Sequence, residues 1–275
     1  MPGSPALSGV AELAAQFDDF LVDLWGVIHD GEAPYAGVVD ALERLARHGD
    51  KRVLFVTNTS RAGDAVVETL ESLGIARALF FDVVSSGDVT RDAIAARDPA
   101  VFERLPSDPR CFHHGDASFV PWLFELGLPM TDDVDASDLL VASGAPHDEP
   151  RLEAARTLLA SAAARDVPLV CTNPDRVIPK GESTLLGPGA IAAAYRELGG
   201  RVFLYGKPHA PIYDEAKRRL LTEKPRRVVA IGDLVETDIA GARAAAIPSV
   251  LVTRGARAAT AASVAPDMTL EWFRW

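Results

Sequence analysis

The sequence predicts an α/β protein with a doubly wound parallel sheet, and three observations carry that reading. Short β-branched and aromatic runs alternate along the chain with stretches whose apolar residues recur three or four positions apart. Most of those runs are continuous rather than alternating, as in strands covered on both faces. The residues with chemical potential stand just after the runs, where open parallel sheets collect their ligands.

In chain order, strands are expected at 20–24, 52–57, 167–172, 201–205, 227–231 and 249–252, with further candidates at 79–84, 111–114 and 138–142. Val38, Leu42 and Leu45 run up to Gly49, and Val66, Leu70 and Leu73 to Gly74. Each set marks one helix face ending at a residue suited to a left-handed turn. The alanine-rich stretches 154–164 and 256–265 read as helix, or helix and loop.

Composition narrows the partners. A chain of 275 residues, 48% hydrophobic and 24% charged, can bury a sizeable core in one large domain or two ordinary ones. Its 39 acidic against 28 basic residues leave a formal charge of −11, which argues against a nucleic-acid partner and against long-range attraction of phosphates. Any anion site must therefore be local. Cys111 and Cys171 lie far apart with no metal or redox spacing, as expected of core residues in a reducing cytoplasm. The first 17 residues lack the basic start of a secretory signal and carry Glu12, and nowhere do about eighteen apolar residues run together. A cytoplasmic protein with no membrane partner is expected.

Four segments carry the chemistry. In Phe20-Leu21-Val22-Asp23-Leu24-Trp25-Gly26-Val27 an apolar run delivers Asp23 to a strand end. A carboxylate there can attack phosphorus if a divalent cation shields the like charges. In Phe55-Val56-Thr57-Asn58-Thr59-Ser60 a hydroxyl and freed backbone N–H groups make a small anion cradle, although capping sequence looks the same. Lys207, between Gly206 and Pro208, offers a positive charge on a stiff loop. In Gly232-Asp233-Leu234-Val235-Glu236-Thr237-Asp238, two acids five apart suit oxygen ligation of magnesium.

Taken in order, Asp23, Thr57-Asn58, Lys207 and Gly232-Asp233 with Asp238 resemble the four motifs of the haloacid dehalogenase-like superfamily, over nearly the whole chain. The long segment between the second and third motifs is similar to the large α/β cap of its subfamily IIA, and Cys171-Thr172-Asn173-Pro174-Asp175 matches a sequence typical of that cap. The resemblance implies a discontinuous core at 1–84 and 185–275 and a substrate-selecting cap at 85–184. It implies Asp23 as nucleophile, Asp23, the Trp25 carbonyl and Asp233 as Mg2+ ligands with Asp238 supporting them, and Thr57, Asn58 and Lys207 on the phosphate. A small phosphorylated substrate would meet Asn173, Asp175 and Arg176 in the cap. Caps of this group often pair, so a homodimer is compatible with it.

The superfamily's usual phosphatase motif is Asp-x-Asp-Gly, whose second carboxylate protonates the leaving group; here that residue is Trp25. Such help is worth about a hundred- to ten-thousandfold in rate. The favoured reading is a phosphatase whose leaving groups need no proton. Three others stay open: an acid borrowed from His29, Asp30 or Glu236; a dehalogenase, since halide leaves unprotonated; and a phospho-ligand-binding protein of little turnover.

Three further signals read as structure. Gly187-Pro188-Gly189-Ala190-Ile191-Ala192 fits a dinucleotide pattern, but no acid closes the next strand, so it is expected to start a helix. Adjacent His113 and His114 on a strand would point to opposite faces, which disfavours a shared ion. Trp272, Phe273 and Trp275 are expected to pack on the core.

Overall fold

The computed structural model describes residues 4–115, 117–180, 183–254 and 264–275. Its strands are β1 (Ala6–Leu7), β2 (Asp19–Val22), β3 (Arg52–Thr57), β4 (Asp82–Ser85), β5 (Cys111–His114), β6 (Leu139–Ala142), β7 (Leu169–Cys171), β8 (Val177–Lys180), β9 (Ser183–Leu186), β10 (Val202–Leu204), β11 (Val228–Gly232), β12 (Ser249–Val252) and β13 (Met268–Leu270). The chain divides into two compact units. The first holds the described residues up to Thr57, then Arg61–Ser85 and the chain from Lys207 onward; the second holds Asn58–Ser60 and Ser86–Gly206.

The first unit is built on a seven-stranded sheet of order β1-β13-β12-β11-β2-β3-β4. Every neighbouring pair is parallel, so all carboxyl ends lie along one edge. The central strands are apolar without alternation because both faces are covered: β2 is buried throughout, and β3 from its second residue onward. Helix Val38–Arg47 turns Val38, Ala41, Leu42 and Leu45 inward, and Gly63–Ser72 contributes Val66 and Leu70. With Phe20, Phe55, Ile75 and Val250 they form one cluster, in which each fully buried large side chain contributes about 1.5–3 kcal/mol. Phe273 joins it, while the Trp275 and Trp272 rings pack on His48 and Tyr35.

A charged cluster fastens the opposite edge of this sheet. Asp19, 1% exposed at the start of β2, faces its register partner Arg52 and accepts from Arg52 Nε and Nη2 at 2.8 and 2.7 Å. Arg226 Nε reaches both oxygens of the same carboxylate at 2.9 Å. Neighbouring Asp18 takes Arg227 and Lys51.

The second unit has a parallel sheet of order β10-β7-β6-β5 and an antiparallel hairpin, β8–β9. The expectation that the insertion ends at 184 needs correction, because this unit runs to Gly206. The run at 201–205, expected in the core, pairs as β10 with β7, and helix Pro188–Glu197 packs Ile191, Ala192 and Tyr195 onto the same cluster. Ala154 to Ala164 lie in helix Glu149–Ala164, started by Asp148 accepting from Arg151 N at 2.9 Å. Most of the other alanine-rich stretch, 256–263 within 256–265, lies outside the described residues.

The helix start and the core cysteines fit their readings. Pro188 opens a helix, and the glycines beside it are there for contact: a Cβ at Gly187 or Gly189 would meet the Asp175 or Pro174 carbonyl oxygen at 2.2 or 2.0 Å. His113 Nε2 pairs with Ser143 Oγ at 2.7 Å. Cys111 and Cys171 are free and buried, and burial pushes both thiols up to about 12.

Candidate functional site

Asp23 directly follows β2, which ends at Val22, two residues earlier than the expected strand. Its N–H donates to Ile231 O of the neighbouring β11 at 2.9 Å, so the nucleophile candidate is fastened to the sheet edge. Asp233 follows Gly232, the last residue of β11. Asp238 sits in a widened, π-helical turn, Val235–Ile239, where its Oδ2 accepts from Leu234 N at 3.1 Å. One oxygen from each of Asp23, Asp233 and Asp238 lies within 4.8 Å of the others, and all three residues are buried.

Lys207 completes the cluster. Its Nζ donates to Asp23 Oδ1 at 2.6 Å and to Asp238 Oδ1 at 2.7 Å. The preceding strand β10 belongs to the other unit, so Lys207 enters on a connecting loop and not, as expected, on a strand end of the core sheet.

Two glycines let the carboxylates close in. Gly26 has a φ of +80°, and a Cβ on it would stand 2.0 Å from Asp233 Oδ2. One on Gly232 would stand 2.2 Å from Asp238 Cβ. Both contacts were beyond sequence reasoning, as was Tyr213, whose hydroxyl donates to Asp238 O at 3.2 Å and steadies the turn.

Burial dominates the electrostatics. It desolvates Asp23 and pushes its carboxyl up to about 7, against the pull of Lys207 and with the repulsion of Asp238. Burial also disfavours the Lys207 charge, but Asp23 and Asp238 outweigh it and hold the ammonium above its ordinary value. With all groups ionised, three carboxylates and one ammonium leave two formal negative charges out of water. Buried charge calls for a partner. An all-oxygen carboxylate set is the chemistry of a hard divalent cation, so Asp23, Asp233 and Asp238 fit Mg2+.

The borrowed acids fare poorly. His29 is buried, which lowers it, and its Nδ1 accepts from Gly31 N at 3.0 Å, leaving a neutral ring. Asp30 accepts from Ala33 N and Glu32 N at 2.8 and 2.9 Å, and these bonds hold it below the ordinary carboxylate range. It is an ionised acceptor at neutral pH and has no proton to give. Glu236 is exposed in the Asp238 turn. Trp25 packs its ring edge-on to His29 at 5.3 Å and against Gly31, where a Cβ would meet Cη2 at 2.2 Å.

The phosphate-side residues divide between the units. Thr57, the buried last residue of β3, belongs with Asp23; Asn58 belongs to the second unit. Asn58 Nδ2 donates to Asp175 Oδ1 at 2.8 Å, and Asn173 Oδ1 accepts from Asp175 N at 2.8 Å. Asn58 thus holds the Asp175 side chain and Asn173 its backbone, while Arg176 is exposed.

Fold and site together define an α/β protein with a buried carboxylate cluster, suited to a cation, at the carboxyl edge of a parallel sheet. The chain belongs to the haloacid dehalogenase-like hydrolase family. The model of that description matches residues 20–129, and a second, HAD-hydrolase-like model matches 204–274. The chain is 31% identical to D-glycerol 3-phosphate phosphatase of Mycobacterium tuberculosis over 252 residues, 90% of this chain and 66% of that one, so it spans just under two thirds of that relative. It is 31% identical to human chronophin over 251 residues, 86% of this chain and 80% of chronophin. Among solved structures, a haloacid dehalogenase-like hydrolase from Brucella suis 1330 matches with a TM-score of 0.81 and 30% identity, over 96% of this chain and 98% of that one. Among the described residues no helix is long and apolar enough to cross a membrane.

Proposed function

We propose that this protein is a Mg2+-dependent phosphatase that hydrolyses a small phosphorylated metabolite through an aspartyl-phosphate on Asp23. The observation that carries the reading is the buried constellation of Asp23, Asp233 and Asp238, with Lys207 Nζ 2.6 Å from Asp23. The phosphatase activity named for the M. tuberculosis relative supports it, as does that relative's structure in complex with magnesium, 28% identical with a TM-score of 0.67.

In this mechanism an Asp23 oxygen forms the bond to phosphorus as the bond to the leaving oxygen breaks, the electron pair departing with the leaving group. Water then attacks phosphorus and frees the carboxylate. Lys207 and the Thr57 hydroxyl hold the phosphate, and Lys207 keeps the Asp23 carboxylate oriented. Asp23, Asp233 and the Trp25 carbonyl would hold the Mg2+, supported by Asp238, and the ion would offset the repulsion between carboxylate and phosphate. Substrate choice is assigned to the second unit as a cap, with exposed Arg176 the contact and Asn58, Asn173 and Asp175 shaping its loop.

Trp25 favours a second reading, a phospho-ligand-binding protein with little turnover, because the residue offers no acidic proton. The dehalogenase reading is weaker, since halide displacement has no use for three buried cation ligands. One assay separates them: p-nitrophenyl phosphate, a phosphometabolite panel and a haloacid panel, each with and without Mg2+, on the wild type and Asp23→Asn. Mg2+-dependent phosphate release that is lost in Asp23→Asn is expected. Phosphate binding without release would establish the second reading, and halide release the third.

A further inference from the structure

The second unit contains a cleft of about 270 Å3 whose lining includes Arg104, Arg165, Arg201, Asp138, Asp166 and Ser137. Asp138 immediately precedes β6, Asp166 lies just ahead of β7, and Arg201 immediately precedes β10. The cleft therefore sits at the amino ends of these parallel strands. Asn173, Asp175 and Arg176 follow the carboxyl end of β7, so the cleft is separate from the loop assigned to substrate choice.

Both acids are already engaged. Asp138 Oδ2 accepts from Arg110 N at 2.9 Å and meets Arg110 Nε at 3.5 Å, while Asp166 Oδ1 accepts from Arg201 Nε at 3.0 Å. Arg165 spends two N–H groups on carbonyls, Ser137 O at 3.0 Å and Val134 O at 2.7 Å. Those bonds fix the guanidinium without neutralising it. Arg104 is exposed and makes no hydrogen bond or ion pair among the described residues. Two guanidinium charges are thus uncompensated in a chain whose formal charge is −11. Unbalanced arginines gathered in a concavity are the arrangement that takes planar or tetrahedral oxyanions.

We propose that this cleft binds a small multivalent oxyanion, a phosphate-type or polycarboxylate metabolite, with Arg104 and Arg165 as its principal donors. Its volume falls just below the range of about 300–1,000 Å3 typical of drug-sized ligands, which suits an anion of a few heavy atoms.

The test is calorimetric titration of the full chain with inorganic phosphate and with citrate, under chelator, comparing wild type, Arg104→Glu, Arg104→Lys and Thr57→Val. Saturable binding of at least one anion to the wild type is expected. Arg104→Glu should weaken it about tenfold or more, as loss of a charge-assisted contact does. Arg104→Lys should restore part of it, and Thr57→Val, altered only at the site around Asp23, should keep the Arg104-dependent binding even where its own phosphate contact is lost. The tighter anion identifies the ligand type. Absence of saturation at about 1 mM, unchanged affinity in Arg104→Glu, or a loss confined to Thr57→Val would overturn the proposal. Because the readout is binding alone, its failure is distinct from a failure of the phosphatase reading.

Discussion

The carboxylate of Asp233 occupies the space in which a side chain on Gly26 would begin, with Oδ2 2.0 Å from the position of a Cβ there. Gly26 also carries a φ of +80°, so the loop needs glycine for both reasons. Gly26→Ala is expected to cost about 1–3 kcal/mol of stability through strain and to displace Asp233. Urea unfolding and Mg2+ titration would show the two losses together; a variant with normal Mg2+ affinity would detach Gly26 from the site.

Trp25 leaves the leaving group without a side-chain acid, so restoring one should help most where the departing oxygen is basic. Trp25→Asp is expected to raise kcat/KM on alkyl phosphates, toward the roughly hundred- to ten-thousandfold that general acids supply, with little change on p-nitrophenyl phosphate. Equal or lower alkyl rates in a folded variant would remove that account of Trp25.

At the other edge of the sheet, Asp19→Ala strands Arg52 and Arg226 around a vacated carboxylate. Breaking one side of a buried ion cluster costs about 3–5 kcal/mol, readable as a lower urea midpoint. Asp18 sets a pH signature beside it. The Arg227 side chain and N–H hold its folded carboxyl well below the ordinary range. Its contribution is therefore full above the unfolded value of about 3.9 and fades as pH falls through it. The stability gap between wild type and Asp18→Asn should narrow from pH 7 toward pH 2.5, and a gap constant with pH would refute that origin.

Where local composition decides structure, the sequence was readable. The runs at 52–57, 111–114 and 249–252 are strands with those same ends; in the first and last, β-branched and aromatic residues covered on both faces have few other uses. Asp23, Asp233, Asp238 and Lys207 meet because strand ends of a parallel sheet share an edge and the Lys207 loop returns to it. Sheet membership was not readable. Nothing inside 201–205 says that it pairs with β7 instead of the core, since pairing is a long-range choice between equally apolar edges. The β8 strand was hidden by Pro179, a residue that argues locally against a strand and is tolerated here in a two-stranded hairpin. The hydrogen bond from Asn58 to Asp175 spans 117 positions and left no periodic trace.

The surplus of negative charge that full ionisation of Asp23, Asp233 and Asp238 leaves beside Lys207 makes this sheet edge a latent spring. Without a counter-ion the carboxylates push on the very loops that hold them, and an ion that relieves this strengthens the folded chain by mass action, by about 2.7 kcal/mol at a hundredfold excess over its Kd. Magnesium supply would then govern how long the molecule survives heat or proteases as well as how fast it works.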